Sequence, residues 1–244
     1  MQSVNVICAS KVTRQIRQGL QMTRSLYVSS ILIGPPATGK KTLVRSLFPK
    51  TPMIDGRDKA ALTKALEMEN ELIITSFEAI AGTEDLDFQN KRIIALADKE
   101  PNRQTIDDFA FIYRMPPLKE RPEDLKAYVE LFLAEARKIF PASEALTLNP
   151  AQLDLSDNLR SLRSSVYREV LTQTMDARDI ETALFHFFVR TLEGNNAYRE
   201  NLGILERPLL KAGLQRYGSQ LKLSEILGIN RNTLRKKLHE YRID

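Results

Sequence analysis

The sequence predicts an α/β core on a parallel sheet, followed by helices alone and ending in a helix-turn-helix. Three observations predict it. Short apolar runs alternate with helix-like stretches as far as Pro116-Pro117, the order that consecutive βα units produce. After those prolines the apolar residues recur only at helical spacing. Near the C-terminus, Gly228 and Asn230 separate two short amphipathic segments, the second of them strongly basic.

Each element follows from local chemistry. Residues 11–27 form an amphipathic helix with Val12, Ile16, Leu20 and Met22 as its apolar side. Tyr27-Val28 and Ile31-Leu32-Ile33 make a β-rich run that ends in Gly34. A helix over about 40–48 is stopped by Pro49. Residues 72–75, 92–97 and 109–113 are three further strands of the buried type. Pro122 opens the next helix, where a missing N–H is tolerated, and Glu123 and Asp124 complement the helix dipole. Leu125, Tyr128, Val129, Phe132, Ala136, Ile139 and Phe140 give it an apolar face as far as Pro141. Helices over about 159–175 and 177–192 follow. The second carries Ile180, Leu184, Phe187, Phe188 and Leu192 on one face, and Gly194-Asn195-Asn196 breaks it.

Composition narrows the function classes. The chain has 244 residues, 43% hydrophobic and 27% charged, which excludes a disordered or fibrous protein. No apolar run approaches the length of a transmembrane helix. The first 25 residues carry scattered charges, so no secretory signal is expected and a cytoplasmic location is. Cys8 is the single thiol, and with His186 and His239 it makes neither a disulfide nor a zinc site, so no metal centre is expected. Bases exceed acids by five. The whole excess lies in residues 206–244, nine bases against four acids, which points to a polyanion as the partner of that segment.

Residues 31–42 read as strand, glycine loop and helix start, with G-x-x-x-x-G-K spacing from Gly34 to Lys40. The two glycines let successive N–H groups turn toward phosphate oxygens. Lys40 reaches the β and γ phosphates, and the helix N-terminus adds a favourable dipole. Gly34, Pro35, Ala37, Thr38, Gly39, Lys40, Lys41 and Thr42 are therefore the candidate nucleotide-binding residues, with ATP as the expected cofactor. Lys41 stands where a Ser or Thr usually holds Mg²⁺. An ATPase also needs acids after an apolar strand, to hold Mg²⁺ and to activate water. After 72–75 the Asp position reads Ser76 or Phe77, leaving Glu78 as the candidate catalytic acid. Glu84, Asp85 and Asp87 follow in a loop and read as solvated acids.

In the C-terminal segment Leu221, Leu223, Ile226 and Leu227 are spaced for a short buried helix. Gly228 takes the positive-φ position after it, and Asn230 caps the next helix. Leu234 and Leu238 are that helix's inward face. Asn230, Arg231, Asn232, Thr233, Arg235, Lys236 and Lys237 are the candidate DNA-binding residues. Arg231, Asn232 and Arg235 would reach base edges and the two lysines would hold phosphates.

These residues resemble a known family. Residues 227–238 look like the Fis-type helix-turn-helix that ends the NtrC-type, sigma-54-dependent activators, and Glu206-Arg207-Pro208-Leu209-Leu210 resembles the kinked helix before it. The segment Gly34 to Arg45 is similar to the GESGTGKELVAR loop of the activators' AAA+ domain, in which Lys41 replaces a Glu. Residues 92–98 resemble RIIAATN, with Asp98 at the sensor Asn, and 115–125 resemble LPPLRERREDI. Residues 157–162 resemble PGNVREL, which puts Arg160 at the nucleotide-sensing arginine. The GAFTGA loop that touches the sigma factor has no counterpart. The segment that supplies arginine fingers reads 101–109, with Arg103 as a remnant or a surface residue.

The resemblance implies a reduced α/β AAA+ (P-loop) core over 1–115, a helical lid over 116–177 and an all-α Fis-type helix-turn-helix domain over 178–244. It implies a nucleoid-associated regulator of transcription that binds double-stranded DNA and ATP, with Mg²⁺ as the accompanying ion. It also implies a homodimer through 178–217, with Phe187 and Phe188 as contacts, or a higher oligomer. The missing loop argues against sigma-54 contact and against a remodelling motor. An active ATPase activator and a Fis-like architectural protein are the two alternatives.

Overall fold

The computed structural model describes residues 6–80, 86, 88–102, 106–140, 148 and 153–243. The chain divides into two compact units, Met1–Met175 and Asp176–Asp244.

The first unit holds a five-stranded sheet. Its strands are β1 (Ser30–Ile33), β2 (Met53–Asp55), β3 (Glu71–Thr75), β4 (Arg92–Ala97) and β5 (Phe111–Arg114). They are parallel in the order β2-β3-β4-β1-β5. Residues of β1 alternate between two cores, because successive side chains leave a strand on opposite faces. Leu32 joins the helices α1 (Lys11–Leu26) and α2 (Lys40–Leu47), with Ile16, Leu20, Leu43, Val44 and Leu47. Ile31 and Ile33 join α3 (Lys59–Met68) through Leu62 and Leu66. The sheet is thus covered on both faces, which explains why β1 and β4 are buried along their whole length and apolar after their first residues, Ser30 and Arg92.

Two further helices, α4 (Pro122–Ile139) and α5 (Asn158–Thr174), pack on each other around Tyr128, Phe132, Leu162 and Val166. The second unit is all helical: α6 (Ala177–Thr191), α7 (Ala197–Tyr217), α8 (Gln220–Leu227) and α9 (Arg231–Glu240). Leu210, Leu223, Leu234 and Leu238 form its core. Pro208 lies inside α7 and removes one backbone donor there.

Several expectations need correction. Met22 is exposed, because it lies about 200° round α1 from Leu20, and Thr13, Ile16, Leu20 and Thr23 form the buried stripe instead. Tyr27 ends α1 in left-handed backbone (φ 53°) and takes no part in β1. The last strand begins at Phe111; Phe109 instead stacks edge-on against Phe77. Of the residues expected to bury α8, only Leu223 is fully buried, whereas Leu221 and Ile226 are exposed. The α6 helix forms with an Asp176 capping box, yet none of its residues is buried, so its predicted apolar face is uncovered. The strand β2 and the helix α3 had no counterpart in the sequence reading. Glu84, Asp85, Asp87 and Arg103 lie outside the described residues.

Candidate phosphate loop and candidate nucleic-acid interface

The glycine loop sits at the C-terminal end of the sheet. Gly34 N–H donates to Ala97 O at 3.1 Å, and Met115 N–H to Ile33 O at 2.7 Å, so the loop leaves β1 between β4 and β5. A Cβ on Gly34 would stand 2.2 Å from Met115 O, so the strand junction itself demands glycine. Gly39 caps α2 in left-handed backbone (φ 98°) with no side-chain hydrogen bond. The first-turn N–H groups of α2, which no helix satisfies internally, therefore have no side-chain cap. That cradle, with Lys40 beside it, fits a phosphate group.

Lys40 is buried, with 6% exposure. Its ammonium donates to Gly34 O at 2.6 Å, to Pro35 O at 2.7 Å and to Asp98 Oδ1 at 2.8 Å. Burial pushes its pKa down, against the pull of Asp98 and Glu78. Asp98 directly follows β4, and its N–H donates to Glu78 Oε2 at 3.1 Å. Glu78 lies in a short 3-10 turn after β3. The structure thus brings Glu78, Asp98 and Lys40 together, although they are far apart in the chain.

The loop's remaining carbonyls are held by residues of 116–177. Asn158 Nδ2 donates to Pro36 O at 2.9 Å, Leu159 N–H to Ala37 O at 3.0 Å and Arg121 Nη2 to Thr38 O at 2.9 Å. Thr38 Oγ1 turns inward to Pro35 O. Arg121 is 1% exposed and pairs with Asp124. Asp124 in turn accepts from the Ala9 and Ser10 backbone at 2.6 and 2.7 Å. Sequence reading missed this clamp; its signal was the Arg-Pro-Glu-Asp run at a helix start.

Arg160 directly follows Leu159, whose N–H bonds the loop carbonyl of Ala37. Its guanidinium pairs with Asp157 at 2.7 Å and is exposed. Lys41 is exposed too and lines an open cleft with Thr42, Arg45, Met53, Ile54, Asp55 and Thr75. Among the described residues no group of three His, Cys, Asp or Glu could hold a metal ion.

In the second unit, Gly228 ends α8 at φ 64° and Asn230 Oδ1 accepts the Asn232 N–H at 2.8 Å, starting α9. Leu234 and Leu238 turn inward. Asn230, Arg231, Asn232, Thr233, Arg235 and Lys236 are all exposed, which forms one basic surface on α9 and its cap. Lys237 does not join it freely. Its ammonium is bound by Glu206 of α7 at 2.5 Å, and Tyr241 donates to the same carboxylate at 2.7 Å. Those bonds hold Glu206 below its ordinary pKa, the lysine contributing most.

Comparison with known proteins agrees with this architecture. Residues 202–241 match the bacterial regulatory protein, Fis family. A putative Fis-like DNA-binding protein of Pseudomonas aeruginosa is 35% identical over 103 residues, 39% of this chain and 93% of that protein. The DNA-binding transcriptional regulator NtrC of Rhizobium meliloti is 27% identical over 168 residues, 52% of this chain and 34% of that protein. The match thus takes in about a third of the NtrC relative's length. Among solved structures, NtrX from Brucella abortus in complex with ATP superposes with a TM-score of 0.55 at 17% identity, covering 97% of this chain and 69% of that one. At that identity the likeness establishes the fold, an AAA+ P-loop sheet with a helix-turn-helix region.

Proposed function

Since the chain belongs to the Fis family of bacterial regulatory proteins, we propose that it is a DNA-binding transcription regulator related to the NtrC-type activators. In this reading α9 enters the major groove of double-stranded DNA. Arg231, Asn232 and Arg235 read base edges and Lys236 holds phosphate. Lys237 supports the helix through Glu206. The observation that carries the reading is the continuous exposed basic surface of α9 over an apolar inner face. The unit pairs with a second copy through the uncovered face of α6, giving a homodimer on two half-sites.

The P-loop binds an adenine nucleotide, with the α2 amides and Lys40 on the phosphates. Arg160 reaches the nucleotide only after leaving Asp157. The nucleotide would supply a phosphate-linked signal, and the chain's own residues bind and orient it. The engagement of Glu78 by the Asp98 backbone favours binding without a remodelling motor.

Anisotropy titration of a labelled duplex at fixed salt tests the DNA reading. Arg235→Ala is expected to weaken binding about tenfold or more, and Lys126→Ala, on α4 of the first unit, to leave it within about twofold. Equal losses from the two would overturn the assignment of α9.

A further inference from the structure

The three donors of the Lys40 ammonium are all used: two on the loop carbonyls of Gly34 and Pro35, and one on Asp98. Of these partners only Asp98 is charged. Its side chain is about half exposed, whereas Lys40 is almost wholly buried, so the carboxylate is the solvent-accessible partner of the pair. A second carboxylate, Glu78, is fixed beside it by the Asp98 N–H. The register of β4 against β1 sets this arrangement. Ala97 pairs with Ile33, so Asp98 emerges alongside Gly34, the first residue of the loop.

A P-loop lysine serves the β and γ phosphates together. A nucleoside diphosphate ends at the β phosphate, which the helix amides receive. A triphosphate adds a γ group with one more negative charge, and that group needs the same ammonium. Here it meets the Asp98 carboxylate already bonded to that ammonium, with Glu78 held beside Asp98. P-loop enzymes offset such charge with a divalent ion, so titration in EDTA separates the effect of the carboxylate from that of the ion.

We propose that Asp98 is a specificity-determining residue of the loop: its carboxylate takes the γ phosphate's place on Lys40, so the site favours nucleoside diphosphate over triphosphate. The proposal rests on the reading of the loop as a nucleotide site. It makes the regulator responsive to the diphosphate.

Calorimetric titration of the full chain with ADP and with ATP, in EDTA and in Mg²⁺, tests it on wild type, Asp98→Asn, Asp98→Ser and Lys40→Ala. Wild type is expected to bind ADP about tenfold tighter than ATP, the size of one unfavourable charge contact at a partly exposed site. Asp98→Asn and Asp98→Ser are both expected to tighten ATP by about that factor and ADP by less than about threefold. The two variants guard against one of them failing to fold, which circular dichroism reads directly. Equal affinity for both nucleotides in wild type, or equal tightening of both in the variants, overturns the role of Asp98 and leaves the nucleotide site standing. No binding of either nucleotide to any of the proteins, or binding that survives Lys40→Ala, overturns the nucleotide reading along with it.

Discussion

Asp124 has no exposed surface and accepts from Ser10 and Thr13 hydroxyls, two backbone N–H groups and Arg121. Through Arg121 it also holds the P-loop carbonyl of Thr38. Removing one partner of a buried, hydrogen-bonded pair leaves the other charge uncompensated. Asp124→Ala is therefore expected to cost about 3–5 kcal/mol, read as a lower urea midpoint with unchanged slope. At this scale the sequence was legible where chemistry is local. Gly34, Gly39 and Lys40 announced the loop, and Gly228 and Asn230 announced the turn, because spacing alone fixes those roles. The Arg121, Asn158 and Asp98 contacts were not legible. They join segments 58 to 122 residues apart, and only the fold decides which polar side chains meet. Arg160 and Lys237, read from position as phosphate contacts, each also have a carboxylate partner within the chain, which position alone does not reveal.

Between elements, α7 and α9 are tied by the Glu206 carboxylate, which takes Lys237 and Tyr241 together. The same bond pushes the Tyr241 hydroxyl up to about 12. Glu206 has a folded pKa below its ordinary value of 4.5. Its contribution to stability is thus fully present above that value and disappears as pH falls through the lower folded value. The group is partly exposed, so the effect is no more than about 1 kcal/mol. Thermal melts from pH 7 to pH 3 are expected to show an acid-side loss for the wild-type second unit that Glu206→Gln lacks. An identical acid limb in both would contradict the assignment. Elements with long periodic patterns, such as α1 and α4, were readable from the sequence. The short edge strand β2 was not, since Met53-Ile54-Asp55 offers only two apolar residues and draws its order from pairing with β3. For α8, two turns are too short for periodicity to decide which of four apolar residues face inward.

Across the whole molecule, the P-loop unit and the helix-turn-helix unit each have their own core. The change of pattern after Pro116-Pro117 falls inside the first unit, where α4 and α5 follow it, and the second unit begins at Asp176. No helix of the described residues is long and apolar enough to cross a membrane. The uncovered α6 face, with Ile180 and Phe187 exposed and Leu184 and Phe188 only partly covered, predicts self-association. Sedimentation velocity is expected to show a dimer for wild type and a monomer of unchanged helicity for Phe187→Asp. A wild-type monomer at tens of micromolar would contradict it. The central claim is a DNA-binding regulator whose P-loop binds nucleotide without driving a motor. Phosphate release from ATP, with and without DNA, compared between wild type and Lys40→Ala, tests it most directly. The account predicts no turnover in wild type above that of Lys40→Ala. Turnover in wild type that Lys40→Ala abolishes would contradict it and establish a working ATPase.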